Sequence, residues 1–361
     1  MKTIHHDASG LSIVICCHNS SARLRETFTH LSRQEVCAGR PWEVIVVDNG
    51  STDDTATMAS QLWSDQRTPM RIVKEPRPGL AFARERGLAE ARYDFVSFVD
   101  DDNWVAKDWV DTALGFLLEH PDVGALGGSS TAAFEIEPPR WFPGCQHMYA
   151  ISPPDWSAGD RTWCFPLWGA GLTLRKQAWL DISRVCIPFL TRGRLGGSMA
   201  GGEDVELCYR LLLAGWKLWY EPRLRFQHYM PKERLTWAYA RRLHFGAGQA
   251  AAALAAYEGV WDSSDSRRLG LSQTWEWKLL QTVKSLIRHP GTLLKAIVGR
   301  GRNEPSIFGI DLLLGRLSIL VRNRTGFYRA RAAVSNLSDY LRERPGHAWA
   351  LDQSTEYSRM P

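Results

Sequence analysis

No run of about 18 consecutive apolar residues occurs anywhere in the chain, so no segment is expected to span a membrane. Paired cysteine spacings are missing too. The seven cysteines (Cys16, Cys17, Cys37, Cys145, Cys164, Cys186, Cys208) are scattered and odd in number, which excludes a zinc-ribbon pattern and speaks against a disulfide framework. They read as reduced thiols of a cytosolic protein. The opening residues Met1–Asp7 lack the apolar stretch of a signal peptide. Neither G-x-G-x-x-G nor a P-loop is present, so dinucleotide binding and nucleoside-triphosphate hydrolysis have no motif support. The G-x-S-x-G elbow of serine hydrolases is absent as well. There is no internal repeat, and the only biased tract, Ala247–Ala256, is simply a good helix former. No nucleic-acid partner is expected. A mean hydropathy of -0.27 and 44% hydrophobic residues suit a soluble globular protein, and 361 residues exceed one average domain.

The net charge of +5 is unevenly spread. Trp275–Arg344 carries thirteen Lys/Arg against five Asp/Glu, which leaves the rest of the chain at a net charge of -3. A mildly acidic body with a basic tail suggests an acidic surface as the partner of the tail. Leu279, Leu280, Val283, Leu286 and Ile287 fall at helical spacing, with Lys278, Lys284 and Arg288 among them, and Leu293–Val298 and Leu312–Val321 repeat the mixture. Such stripes suit the surface of an anionic membrane, and equally suit packing on the protein itself or on a second subunit.

Strand and helix signals alternate over residues 11–128. Leu11–Cys17, Trp42–Val47, Met70–Lys74 and Phe95–Val99 read as strands, and Glu26–Gln34, Asp53–Trp63 and Gly79–Arg92 as helices, with Thr52 or Asp53 capping the second. A further helix is expected to start near Val105. This order implies right-handed βαβ crossovers and a mainly parallel sheet. Residues 129–168 break the pattern with prolines and with tryptophans at 141, 156, 163 and 168, and Gly127-Gly128 reads as a turn. A strand at Leu172–Leu174, a glycine-rich loop Gly193–Gly202 and a helix Glu203–Ala214 closed by Gly215 follow. Two more strands, Trp216–Tyr220 and Arg223–Tyr229, precede a helical remainder.

Ligands of open α/β sheets bind beyond the carboxyl ends of strands, and both Asp48 and the cluster Asp100-Asp101-Asp102 stand at such ends. Three adjacent carboxylates repel one another. They call for a divalent cation, or else they cap the following helix. Glu203 and Asp204 fall in the first turn of a helix behind two glycines, where the dipole favours their charged forms and the loop can close over a ligand. Glu206 reads as a capping residue. His228 ends the last strand, either as a metal ligand or as a core histidine. Arg84 and Arg86 either reach phosphates or face water.

In order, Ile13–Asn19, Val46–Thr55, Gly79–Arg84, Asp100–Asp102 and Gly202–Leu207 resemble the motifs of family-2 inverting glycosyltransferases of the GT-A fold, over roughly residues 10–230. Two departures stand out. Cys16-Cys17-His18-Asn19 replaces a proline-threonine-tyrosine-asparagine type sequence, and Glu85 replaces an asparagine often found after the arginine. The resemblance implies an α/β GT-A catalytic domain over 1–230, with a donor half at about 10–128 and an acceptor half at about 129–230. A helical C-terminal extension would follow over 231–361. It implies that Asp48 and Ser51 bind the nucleoside of a UDP-, GDP- or dTDP-sugar, with Arg84, Asp100 and Asp101 contributing to donor binding. Asp100, Asp102 and His228 would hold Mn2+ or Mg2+. Asp204 is the implied general base, with Glu203 as the competing candidate.

The implied acceptor is a glycan or a lipid-linked saccharide, with stacking tryptophans of the 141–168 stretch on its side. The chain would then be cytoplasmic, attached peripherally to the inner face of the cell membrane; an oligomer is compatible with it. Two rival readings are a sugar-phosphate nucleotidylyltransferase, whose arginine- and glycine-rich loop is missing here, and a nucleotide-sugar-binding scaffold without turnover.

Overall fold

The computed structural model describes residues 9–161, 167–185, 187–191, 193, 199–260, 270–299, 301 and 303–342. The start Met1–Asp7, Trp163, Cys164, Cys186, the Gly196-Gly197 part of the glycine loop and the end of the helical extension beyond 342 lie outside the described residues. In chain order the regular elements are β1 (Leu11–Cys17), α1 (Leu24–Ser32), β2 (Trp42–Asp48), α2 (Thr55–Trp63), β3 (Met70–Lys74) and α3 (Leu80–Glu90). Next come β4 (Phe95–Phe98), β5 (Asn103–Val105), α4 (Trp109–Glu119), β6 (Val123–Phe134), β7 (Gly159–Asp160), β8 (Thr173–Arg175) and α5 (Lys176–Ser183). The remainder is α6 (Glu203–Leu213), β9 (Lys217–Met230), α7 (Trp237–Leu254), α8 (Trp275–Ile287), α9 (Pro290–Ile297), α10 (Ser306–Leu320) and α11 (Arg324–Arg342).

These elements group into two units. The first comprises residues 1–133, 150–183 and 216–229, and the second 134–149, 184–215 and 230–361. The chain passes between them near 133, 149, 183, 215 and 229, so residue 230 marks one crossing among several.

The first unit is a mixed α/β layer structure built on a nine-stranded sheet, as the sequence led one to expect. Its order is β3-β2-β1-β4-β8-β6-β9-β5, with β7 paired to β9. The four expected strands form the parallel part, β3-β2-β1-β4; the inner three are largely apolar because strands covered on both faces can be, while β3 at the edge carries Arg71 and Lys74 and has no fully buried residue. Leu11, Ile13, Ile15, Val44, Val46 and Phe95 meet Phe28 of α1 and Trp109, Val110 and Leu114 of α4 in one core. On the far side of β4 the pairing turns antiparallel.

Three expectations are corrected here. The helix expected near Val105 starts at Trp109, because Asn103–Val105 pairs antiparallel with Phe226–His228 instead. Gly127-Gly128 is no turn but the middle of the twelve-residue β6. A Cβ on Gly127 would stand 2.7 Å from the Leu167 side chain, and one on Gly128 would stand 2.1 Å from the Leu224 carbonyl oxygen. The two strands expected on either side of Pro222 are one fourteen-residue strand, β9.

The second unit is helical. Helices α7 and α10 approach closely through glycines. A Cβ on Gly248 would lie 1.9 Å from the Leu312 carbonyl oxygen, and one on Gly315 would lie equally close to that of Phe245. Arg241 grips Asp311 across this contact with two hydrogen bonds of 2.7 and 2.8 Å. Trp141 is buried here against Trp237 and Phe308.

Candidate functional site

The site in the first unit starts from register. Cys17 pairs with Asp48, and Asp48 with Lys74, so the loops after β1, β2 and β3 leave the sheet at one level. Hydrogen bonds knit them together. Asn49 is buried and donates to the carbonyls of Glu75 and Arg77 while accepting from Gly79 N. Asn19, in a left-handed conformation at φ 51, accepts through Oδ1 from Thr52 N, and its own N donates to Ser51 Oγ. Asp48 Oδ1 accepts from Ser51 N at 2.9 Å. Asp48 and Ser51, expected together, are thus together. The asparagines that brace them sit inside the motifs but show no spacing that would single them out.

Each of the three carboxylates after β4 has different surroundings. The Asp101 side chain is engaged by Arg23, whose Nε and Nη2 donate to Oδ2 at 3.1 and 2.6 Å, and its carbonyl accepts from Thr27 Oγ1. Asp101 therefore ties the turn to α1. Arg23 stands 78 positions away, and no sequence signal linked the two. Asp102 is buried, and His228 Nε2 lies 3.5 Å from its Oδ1. The antiparallel pairing of Asn103 with His228, together with a hydrogen bond from Tyr229 N to the Asp102 carbonyl, sets that approach. Asn103 donates to Asp102 Oδ1 and accepts from Asp100 N, which bridges the outer two carboxylates.

Burial pushes the Asp100 carboxyl up to about 6 against the pull of Arg84, and the charge of Asp102 adds to the rise. Carboxylates held this way favour a cation beside them. Because β5 intervenes before α4, the helix-capping alternative for this cluster falls away. Arg84 is buried with its guanidinium over the Phe98 ring and against Gly169, where a Cβ would meet Nη2 at 2.5 Å; it does not face water. Arg86 pairs with Glu90 at the surface.

Among the described residues, no group of three His, Cys, Asp or Glu side chains is arranged to hold a metal ion by itself. The donors present, two carboxylates and an imidazole, are nonetheless of the kind that hard divalent ions take. Trp156 stacks on Trp168 with ring centroids 5.1 Å apart, and the Arg161 guanidinium lies 4.7 Å above Trp156.

In the second unit, Gly202 adopts φ 100, a left-handed conformation natural to glycine, and α6 starts directly after it. Glu203 and Asp204 occupy the first turn, half-buried, and Asp204 Oδ1 accepts from Val205 N at 2.9 Å. Glu206 has a structural role larger than a cap. Wholly buried, it accepts from Leu190 N, Thr191 N, Thr191 Oγ1, Arg210 and the Tyr257 hydroxyl at 2.8 to 2.9 Å. Burial, reinforced by the Glu206 charge, raises the Tyr257 phenol well above its ordinary range and keeps it a donor.

Comparison with known proteins bears on this arrangement. Residues 12–165 match the family model described as Glycosyl transferase family 2. The pre-mycofactocin glycosyltransferase of Mycobacterium tuberculosis is 26% identical over 242 residues, covering 66% of this chain and 47% of that protein. This chain thus spans about half the length of that relative. The succinoglycan biosynthesis protein ExoM of Rhizobium meliloti is 25% identical over 283 residues, covering 76% of this chain and 80% of the relative. Among solved structures, S. aureus TarS 1-349 in complex with UDP aligns over 92% of this chain and 90% of its own, at a TM-score of 0.47 and 16% identity.

Proposed function

We propose that this chain, whose residues 12–165 match the model of glycosyl transferase family 2, moves a sugar from a nucleotide-sugar to a hydroxyl of a glycan or lipid-linked saccharide, with inversion at the anomeric carbon. The observation that carries the proposal is that half-buried Asp100 and buried Asp102, just after β4, have buried His228 of β9 beside them, on the sheet edge that also bears Asp48 and Ser51.

In this reading Asp48 and Ser51 bind the nucleoside. Ser51 Oγ already accepts from Asn19 N, which leaves its own proton to donate. Arg84, fixed over Phe98, sets a positive charge beside the diphosphate. Asp101 serves donor binding indirectly, by holding its neighbours in place through Arg23. Asp100, Asp102 and His228 would hold Mn2+ or Mg2+, with substrate oxygens completing the set. Such an ion neutralises charge developing on a leaving diphosphate. Asp204, at its helix start, would take the proton of the attacking hydroxyl, with Glu203 as its competitor. Trp156 has Trp168 stacked on it and Arg161 over its ring, so in this reading it is Trp168, backed by Trp156, that would meet the apolar side of a sugar ring.

The test uses the purified chain and a panel of UDP-, GDP- and dTDP-sugars with manganese, read by thermal shift and by slow release of nucleoside diphosphate. The expected result is stabilisation and release with one donor class, both lost in Asp102→Ala and in chelator. Full release in chelator would refute the metal assignment. Stabilisation without release would replace the transferase reading by a binding scaffold, and release of sugar phosphate with nucleoside triphosphate on adding pyrophosphate would replace it by a nucleotidylyltransferase.

A further inference from the structure

The second unit bears a surface that none of this chemistry uses. Helix α8 turns Leu286 into a cluster with Ala296, Ile307 and Ile310, and Leu279 against Ala252, Leu320 and Phe327. Half of the expected apolar stripe is thereby accounted for. The other half faces solvent. Leu280 and Ile287 of α8, Leu294 and Ile297 of α9, and Val298 just after it are between 53% and 68% exposed. Positions 280, 284 and 287 are four and three apart, so they share one face of α8 with the exposed Lys284. Gly291, in the first turn of α9, has nothing within 4 Å of where a Cβ would be.

Charge says what kind of surface this face fits. From Trp277 to Asn303 the chain has six Lys/Arg and no Asp or Glu. Lys278 is buried and paired with Glu258, and Lys295 reaches Glu304, but Lys284 and Arg288 stand exposed beside the aliphatic side chains. A soluble surface rarely exposes so many aliphatic residues together without a use. Aliphatic side chains flanked by basic ones are the composition of a helix lying in the headgroup region of a membrane. The Trp, Tyr and Arg anchors that dominate protein interfaces are sparse here. A two-fold contact with a second copy would bring Lys284 and Arg288 toward their own counterparts.

We propose that α8 and α9 form a docking face for a bilayer surface rich in anionic lipid, entered by Leu280, Ile287, Leu294, Ile297 and Val298 and steered by Lys284 and Arg288. The face lies wholly within the second unit, and the proposal goes beyond the transferase reading without depending on it. Among the described residues no helix is long and apolar enough to cross the membrane, so attachment would be peripheral.

The test is co-sedimentation of the full chain with vesicles of phosphatidylcholine alone and with one third phosphatidylglycerol, at low and high salt. Binding is expected to the anionic vesicles at low salt and to fall at high salt. Lys284→Glu with Arg288→Glu should weaken it about 30-fold or more, since each basic residue near such a surface contributes about fivefold. Ile287→Asp with Leu294→Asp should remove it, while the melting temperature stays unchanged because all four side chains are exposed. Failure of the unaltered chain to bind anionic vesicles at low salt, or unchanged binding by both variants, would overturn the proposal. So would a dimer in light scattering that Ile287→Asp with Leu294→Asp converts to monomer, which would make this face an interface between copies.

Discussion

Replacing Glu206 by Gln tests the division of labour within the first turn of α6. The two side chains have the same shape, but the change removes the charge that Arg210 faces. Arg210 is itself buried, its Nη1 and Nη2 already donating to the Ile187 and Pro188 carbonyls, so it cannot swing out to water. Side-chain exposures of 2% and 0% for the pair mean that solvent screening does little to soften the loss. Breaking a buried pair from one side costs about 3–5 kcal/mol, and the amide oxygen that remains to accept places this case near about 3. For a unit of this size about 3 kcal/mol lowers the melting temperature by about 6–12 °C.

Asp204→Asn, two positions earlier, keeps an oxygen to accept from Val205 N and gives up a charge near the helix dipole, about 0.3–1 kcal/mol, and should shift melting by no more than about 4 °C. Differential scanning calorimetry on both variants reads the difference directly. If Glu206→Gln melts within about 2 °C of the unaltered chain, the Glu206 network is not the anchor described here.

The same Asp204→Asn variant is expected to retain donor binding in a thermal-shift titration while turnover falls by about 100-fold or more, the usual worth of a positioned base; a larger loss in Glu203→Gln would reverse the two roles. His228→Ala should weaken manganese and nucleoside diphosphate together in calorimetric titrations, whereas a purely structural histidine would lower the melting point and leave both affinities alone. Asp53 is held down at about 2, chiefly by the Thr55 hydroxyl and also by Ser21. Its carboxylate is depressed, so its contribution is fully present above about pH 4 and lost as pH falls through about 2. Urea melts of Asp53→Asn should therefore differ from those of the unaltered chain at about pH 6 and converge near about pH 2. Gly128→Ala would drive a methyl group into the Leu224 carbonyl inside the sheet, and circular dichroism should show destabilisation of about 3 kcal/mol or more.

Reading the sequence located the parallel strands well, because the inner ones, covered on both faces, are largely apolar and need no partner to be recognised, and the edge strand β3 follows from the alternation of strands with helices. Leu11–Cys17 and Met70–Lys74 have the expected bounds, and Trp42–Asp48 differs by one residue. Reading failed where a strand is defined by its neighbours. The glycines of β6 carry no alternation, and only the close approach of Leu167 and Leu224 explains why they stand in mid-strand. Pro222 looks like a break in a chain read by itself, yet β9 runs through it with Arg223 N bonded to the Glu221 carboxylate.

The site divides in the same way. Local sequence by itself determined that acidic groups gather where β2 and β4 end and where α6 begins, since strand ends and helix starts are local features. Which carboxylate met which partner was a tertiary decision. Asp101 went to Arg23, Asp102 to His228, and Glu206, besides Arg210 one turn along its own helix, to Leu190, Thr191 and Tyr257. Within each group the acidic side chains are chemically alike, or nearly so. What separates them is burial and the partners that other elements of the chain bring within reach, and neither is recorded in local sequence.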